Sequence, residues 1–158
     1  MASAYLADAV LAVTSGVLFF VAVTDLKRYT IRNEFIAVLA GLFLIYVAVT
    51  GRWGELPWHL ALAAAIFLLL LYFYARYWMG GGDVKMLSVA FLWVGPEGAL
   101  PFAILLCLFA CLHGLAAKFE WVPAQQLPDD RRKRIPFAPS IAAALVGVFV
   151  LGALYQPA

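Results

Sequence analysis

The chain has 158 residues, of which 66% are apolar, 15% aromatic and 13% charged, and its mean hydropathy is +0.95. Soluble domains are about half apolar and a quarter charged, so this composition excludes a soluble globular enzyme, a disordered tail and a nucleic-acid-binding module, and the length leaves room for one domain over residues 1–158. The net charge of +2 is too small to name a partner, and two cysteines, Cys107 and Cys111, build neither a disulfide framework nor a four-thiolate zinc site.

Lipid cannot satisfy backbone hydrogen bonds, so an apolar run of about 17 to 25 residues between polar breaks reads as a transmembrane helix. Six runs stand out, over residues 5–24, 35–50, 56–77, 82–94, 99–117 and 137–155. The expected fold class is an all-α, polytopic integral membrane protein with about six transmembrane helices. The first run carries Asp8 and no Lys or Arg ahead of it, which is wrong for the basic start of a secretory signal, and it is read as a permanent span. Short breaks follow, among them residues 51–55 and the Gly95-Pro96-Glu97-Gly98 turn. The one long connection, from Lys118 to Pro136, holds the cluster Arg131-Arg132-Lys133-Arg134.

Lys and Arg are retained on the cytoplasmic side of a membrane. With six spans, the breaks after the first, third and fifth hold Lys27, Arg28, Arg32, Arg76, Lys85, Lys118 and Arg131 to Arg134, against Arg52 alone on the other side. That asymmetry places both termini outside the cytoplasm. The fourth run is the short one. From Met86 to Val94 it offers about 14 Å of uncharged helix against a hydrocarbon core of about 30 Å. A re-entrant dip would abolish the charge asymmetry, so a full span is expected, with its helix starting near Gly80 to Asp83 and Asp83 at the headgroup layer. An ionisable residue there is a functional candidate.

Asp25 closes the first run and Asp83 opens the fourth, so by parity both carboxyls lie at similar depth on the cytoplasmic side. Two carboxyls a few ångströms apart share a proton, and such a dyad activates water while protonating a leaving group. Peptide-bond hydrolysis fits that arrangement. Gly80-Gly81-Gly82-Asp83 lacks side chains at a helix start, where an extended substrate backbone finds unpaired N–H groups at Gly80 and Gly82; the same tetrapeptide also reads as an inter-helix turn capped by its aspartate.

Three segments resemble type IV prepilin peptidases. Asp25-Leu26-Lys27-Arg28-Tyr29-Thr30-Ile31-Arg32-Asn33 is similar to the family's first aspartate motif, in which a basic stretch leads to Ile-Pro-Asn. Gly80-Gly81-Gly82-Asp83-Val84-Lys85-Met86-Leu87 resembles its Gly-x-Gly-Asp motif, and Ile135-Pro136-Phe137-Ala138-Pro139 the Ile-Pro-Phe-Gly-Pro segment that opens its last span. Arg32 stands where the family has proline and Ala138 where it has glycine; neither change touches the aspartates. The resemblance implies an aspartyl endopeptidase of the bacterial inner membrane, with catalytic Asp25 and Asp83, that cuts the basic leader from pilin-like precursors at the cytoplasmic face. It implies no metal or organic cofactor. Only 24 residues precede Asp25, and Cys107 and Cys111 lie within a span, so the expectation is a peptidase without the methyltransferase activity of the larger relatives, like those of tight-adherence (Flp-type) pilus systems. The competing reading is a small proton- or ion-coupled transporter using paired intramembrane carboxylates, a class that usually shows internal repeats; none is visible.

Among the other polar residues, Lys85 either snorkels to headgroups or contacts the dyad or substrate. Asn33 either caps the second helix or orients the site. His113 reads as a neutral histidine bonded to another helix, His59 as an interfacial anchor beside Trp53 and Trp58, and Cys107 with Cys111 as buried small apolar residues. Glu34, Glu120, Asp129 and Asp130 read as solvated carboxylates.

Overall fold

The structure is a computed structural model and describes residues 2–119, 125–126, 133–134 and 136–155. Glu120, Asp129, Asp130, Arg131, Arg132 and Ile135, all singled out in the sequence, lie outside the described residues. Five helices follow in chain order: α1 (Ala2–Arg28), α2 (Asn33–Thr50), α3 (Leu56–Ala75), α4 (Gly81–Lys118) and α5 (Ala138–Tyr155). A two-residue antiparallel ladder, β1 (Gln125–Gln126) with β2 (Lys133–Arg134), lies between α4 and α5.

The ends of these helices follow from local chemistry. Gly51 adopts a left-handed conformation (φ 71°) after α2, and its N–H returns to the Val47 carbonyl at 2.9 Å, a glycine stop. Pro57 in the first turn of α3 needs no hydrogen-bond acceptor there. In the connection between them, Arg52 and Glu55 pair at 2.6 Å, and that hydrogen bond holds the guanidinium above its ordinary pKa, against a smaller opposing effect of burial.

α4 is a helical hairpin. Gly95 has φ 60° and ψ −173°, outside helical space, and Pro96 follows it. Phe91 and Phe102 show the consequence: eleven residues along a straight helix would separate them by about 16 Å, whereas their ring centroids lie 5.1 Å apart. The chain therefore reverses at Gly95, as the Gly-Pro-Glu-Gly turn in the sequence predicts. The reversal leaves a carbonyl without its usual donor, because Pro96 has no N–H for Leu92 four residues earlier. His59 of α3 supplies one, its Nδ1 donating to the Leu92 oxygen at 2.7 Å. His59 is thus a packed brace between α3 and the bend, its ring 5.4 Å from that of Phe43, a role that its reading as an interfacial anchor did not include.

The first half of α4 is the centre of the bundle, with Val84, Met86, Leu87, Ala90, Leu92, Trp93 and Val94 all buried. A helix buried all round needs no lipid-length apolar stripe, which explains its short run. Leu39, Phe43 and Val47 of α2, Leu18 and Val21 of α1, and Ile141, Ala144 and Leu145 of α5 pack around it. Trp93 Nε1 donates to the Leu39 carbonyl at 3.0 Å and its ring meets Phe149 at 5.3 Å. α3 contributes no buried residue and turns Leu60, Leu68, Leu69 and Leu71 outward. Large exposed apolar side chains on every helix suit lipid, not water. Among the described residues, α1 to α4 are long and apolar enough to cross a membrane, and Ala138–Gly152 is a shorter apolar helix. Cys107 and Cys111 are exposed on this outer surface, a correction to the buried position expected for them.

Candidate active site

α1 ends at Arg28, three residues after Asp25. Tyr29 takes a left-handed conformation (φ 52°), and its N–H returns to the Asp25 carbonyl at 2.8 Å, closing the helix. The Asp25 side chain is buried, at 5% exposure, and turns away from its own loop. Its Oδ2 accepts the Ala138 N–H at 3.1 Å. Ala138 is the first residue of α5, where N–H groups lack partners within the helix, so Asp25 caps a helix 113 positions further on.

Asp83 lies in the first turn of α4 and is half-buried. Its carboxyl folds back over Gly80, where an added Cβ would stand 3.1 Å from Oδ2. Gly80 has an extended backbone that any residue adopts (φ −73°, ψ 144°), so space for the carboxyl, not conformation, is what glycine provides here. Gly81 and Gly82 are close-packed in the same way, a Cβ on Gly81 meeting the Tyr74 ring at 3.3 Å and one on Gly82 meeting Ile31 at 3.2 Å. Tyr29 and Tyr77 are the two non-glycine residues with positive φ among the described residues, and each stands beside one aspartate segment. Such strain concentrates at functional sites.

The two aspartate segments meet at one end of the bundle. Ile31, in the loop after Asp25, packs on Gly82, directly before Asp83. Two positions after Ile31, the Oδ1 of Asn33 accepts from Nζ of Lys85, two positions after Asp83, at 2.9 Å. Lys85 thus reaches another helix, and of the two readings of Asn33 the cap is the one the structure does not show. The N-cap of α2 is Arg32, with no side-chain cap bond. The third segment joins through Ala138, so stretches from three parts of the chain share one end of the fold. Ser140 was not legible in the sequence as a site neighbour. It is buried in the first turn of α5, and its Oγ lies 3.2 Å from Nδ1 of His113, which is bonded across helices as expected. Glu34 is exposed and paired with Arg32 at 2.6 Å.

Ser140, His113 and Asp25 follow the residue order of a nucleophilic relay, but the relay is not assembled: His113 Nε2 is buried with no hydrogen-bond partner, and Asp25 Oδ2 is bonded to Ala138. Among the described residues no three His, Cys, Asp or Glu side chains gather as metal ligands.

Neither a curated protein nor a solved structure matches the chain. A family model does match it, that of the type IV leader peptidase family, over residues 12–115. That stretch holds both aspartate segments and ends before Ile135-Pro136-Phe137-Ala138-Pro139. With two thirds of its length matched, including the end of the bundle where the two segments meet, this apolar helical chain belongs to the type IV leader peptidase family and is a peptidase of prepilin-like substrates.

Proposed function

We propose that the protein is an aspartyl endopeptidase of the bacterial inner membrane that removes the basic leader from type IV, Flp-like prepilins at the cytoplasmic face, with Asp25 and Asp83 as its catalytic dyad. The observation that carries this reading is the convergence of the Asp25, Asp83 and Ala138 segments, tied by the Ile31 to Gly82 contact, the Lys85 to Asn33 bond and the Ala138 to Asp25 bond. One carboxylate takes a proton from water as its oxygen bonds to the scissile carbonyl carbon. The other, protonated, gives its proton to the departing amine as the C–N bond breaks. One water is consumed, the dyad ends with its single proton on the opposite carboxyl and resets when that proton passes back between the two, and no metal or organic cofactor takes part.

Gly80, exposed beside Asp83, admits a substrate backbone at the start of α4, and Gly82 lets Ile31 close over it. Asn33 and Lys85 hold the two aspartate segments together against the substrate side. The two halves of α4 are separate crossings, giving six spans in a single domain over residues 1–158, with both termini periplasmic. The reading is of a peptidase without N-methyltransferase activity, in keeping with Cys107 and Cys111 lying within α4.

The test uses purified protein and a type IV pilin precursor carrying its basic leader. Wild-type protein is expected to cut the leader, and Asp25→Asn and Asp83→Asn each to lose at least about a thousandfold in rate, the scale of removing an essential proton-transfer group. Cleavage at the wild-type rate by either variant defeats the dyad. Aspartate-dependent proton movement in vesicles, without cleavage, favours a transporter instead.

A further inference from the structure

His113 is a polar residue inside an apolar helix, and the hydrolytic steps above make no use of it. Its Nδ1 is 3.2 Å from the Oγ of Ser140, which is 2% exposed. Ser140 is two residues from Ala138, whose N–H holds the Asp25 carboxyl. His113 also lies within electrostatic range of Asp25. Burying a histidine and a serine here costs desolvation that an apolar pair would not incur. Pro139, between Ala138 and Ser140, has no N–H of its own, so the start of α5 is secured by what its neighbours hold.

We propose that His113 and Ser140 form a positioning pair for Asp25. The imidazole on α4 grips the first turn of α5 through Ser140, and that turn presents the Ala138 N–H to the Asp25 carboxyl. Neither residue touches the scissile bond. The pair acts through the orientation of one oxygen, so it governs turnover and leaves substrate binding alone. This inference rests on the reading of Asp25 as a catalytic carboxyl.

The experiment compares full-length wild-type protein in nanodiscs with His113→Ala, His113→Asn, Ser140→Ala and the His113→Ala/Ser140→Ala double variant, using the same pilin precursor. Asparagine keeps a side-chain polar atom near the place of Nδ1. His113→Ala and Ser140→Ala are each expected to lower kcat by about 10- to 100-fold, the scale of a small misplacement of a reacting group, with KM within about twofold by the same argument. His113→Asn is expected to restore kcat to within about threefold of wild type, and the double variant to be no slower than the slower single, since the two act as one unit. Wild-type kcat in His113→Ala, a loss confined to KM, or losses that multiply in the double variant would each overturn the proposal. Should His113→Ala not fold, Ser140→Ala, which removes a single oxygen, carries the same comparison.

Amide hydrogen exchange over residues 136–141 gives a readout that needs no activity. It is expected to quicken in His113→Ala and Ser140→Ala and to stay at the wild-type rate in His113→Asn. Unchanged exchange in both alanine variants also overturns the brace. Undiminished cleavage by Asp25→Asn would instead defeat the catalytic reading of Asp25, while exchange still decides whether the pair secures the turn.

Discussion

Gly95, Pro96 and His59 solve one local problem between them. Pro96 ends the first half of α4 and strips the Leu92 carbonyl of its donor, His59 replaces that donor, and Gly95 accepts a backbone conformation with φ 60° while leaving room for the imidazole. A Cβ on Gly95 would overlap the His59 ring. Gly95→Ala is therefore expected to destabilise the protein by about 3 kcal/mol, combining a strained backbone with a steric conflict. His59→Leu leaves the Leu92 oxygen unsatisfied and is expected to cost about 1–3 kcal/mol. Gly147→Ala makes a useful contrast, because its Cβ would approach only the flexible tip of Leu105, at 2.9 Å, and a methyl can turn aside. That variant should stay within about 1 kcal/mol of wild type. Thermal melting of the three variants in one detergent checks the order.

Between elements, the Lys85 to Asn33 bond joins α4 to α2 on an exposed edge. Solvent screens it, so Lys85→Met or Asn33→Ala should cost under about 1 kcal/mol in stability. Turnover should fall further than stability, because the bond sets how the Asp25 loop lies against the start of α4; a double-mutant cycle on cleavage rate is expected to show coupling between the two sites. Helix positions were legible in the sequence, since apolar runs broken by Gly, Pro and charge mark them directly, and the bend at Gly95 was legible for the same reason. Partners such as Asn33 and Lys85, or Asp25 and Ala138, were not, because nothing local to either residue records where the other folds. The outward placement of Cys107 and Cys111 was hidden by a different cause. Their i, i+4 spacing fixes a shared face, but lipid accepts small apolar side chains as readily as a protein core does, so hydropathy does not say which face.

For the whole molecule, the distribution of charge and the alternation of helices bear on orientation. α1 runs toward the end that holds Asp25, and α2 and the first half of α4 start there and run side by side, with Asn33 beside Lys85 and Leu39 beside Trp93. If the aspartate end faces the cytoplasm, as ten of eleven basic residues argue, a C-terminal alkaline phosphatase fusion should be active in the periplasm and a C-terminal green fluorescent protein fusion dark. A bright fluorescent fusion with inactive phosphatase would reverse the orientation and place the carboxyls on the far side of the membrane from a cytoplasmic leader.

Asp25 depends on a donor that is made late. The Ala138 N–H belongs to a residue 113 positions downstream, and at about 5–20 residues per second a ribosome reaches it roughly 6 to 23 s after Asp25. Until the last helix enters the bilayer, the carboxyl at the end of α1 lacks the contact that orients it. On the proposed reading of Asp25 and Asp83 as a dyad, a half-made chain in the membrane holds its aspartates without that donor, and a chain halted before α5 is expected to cut no precursor.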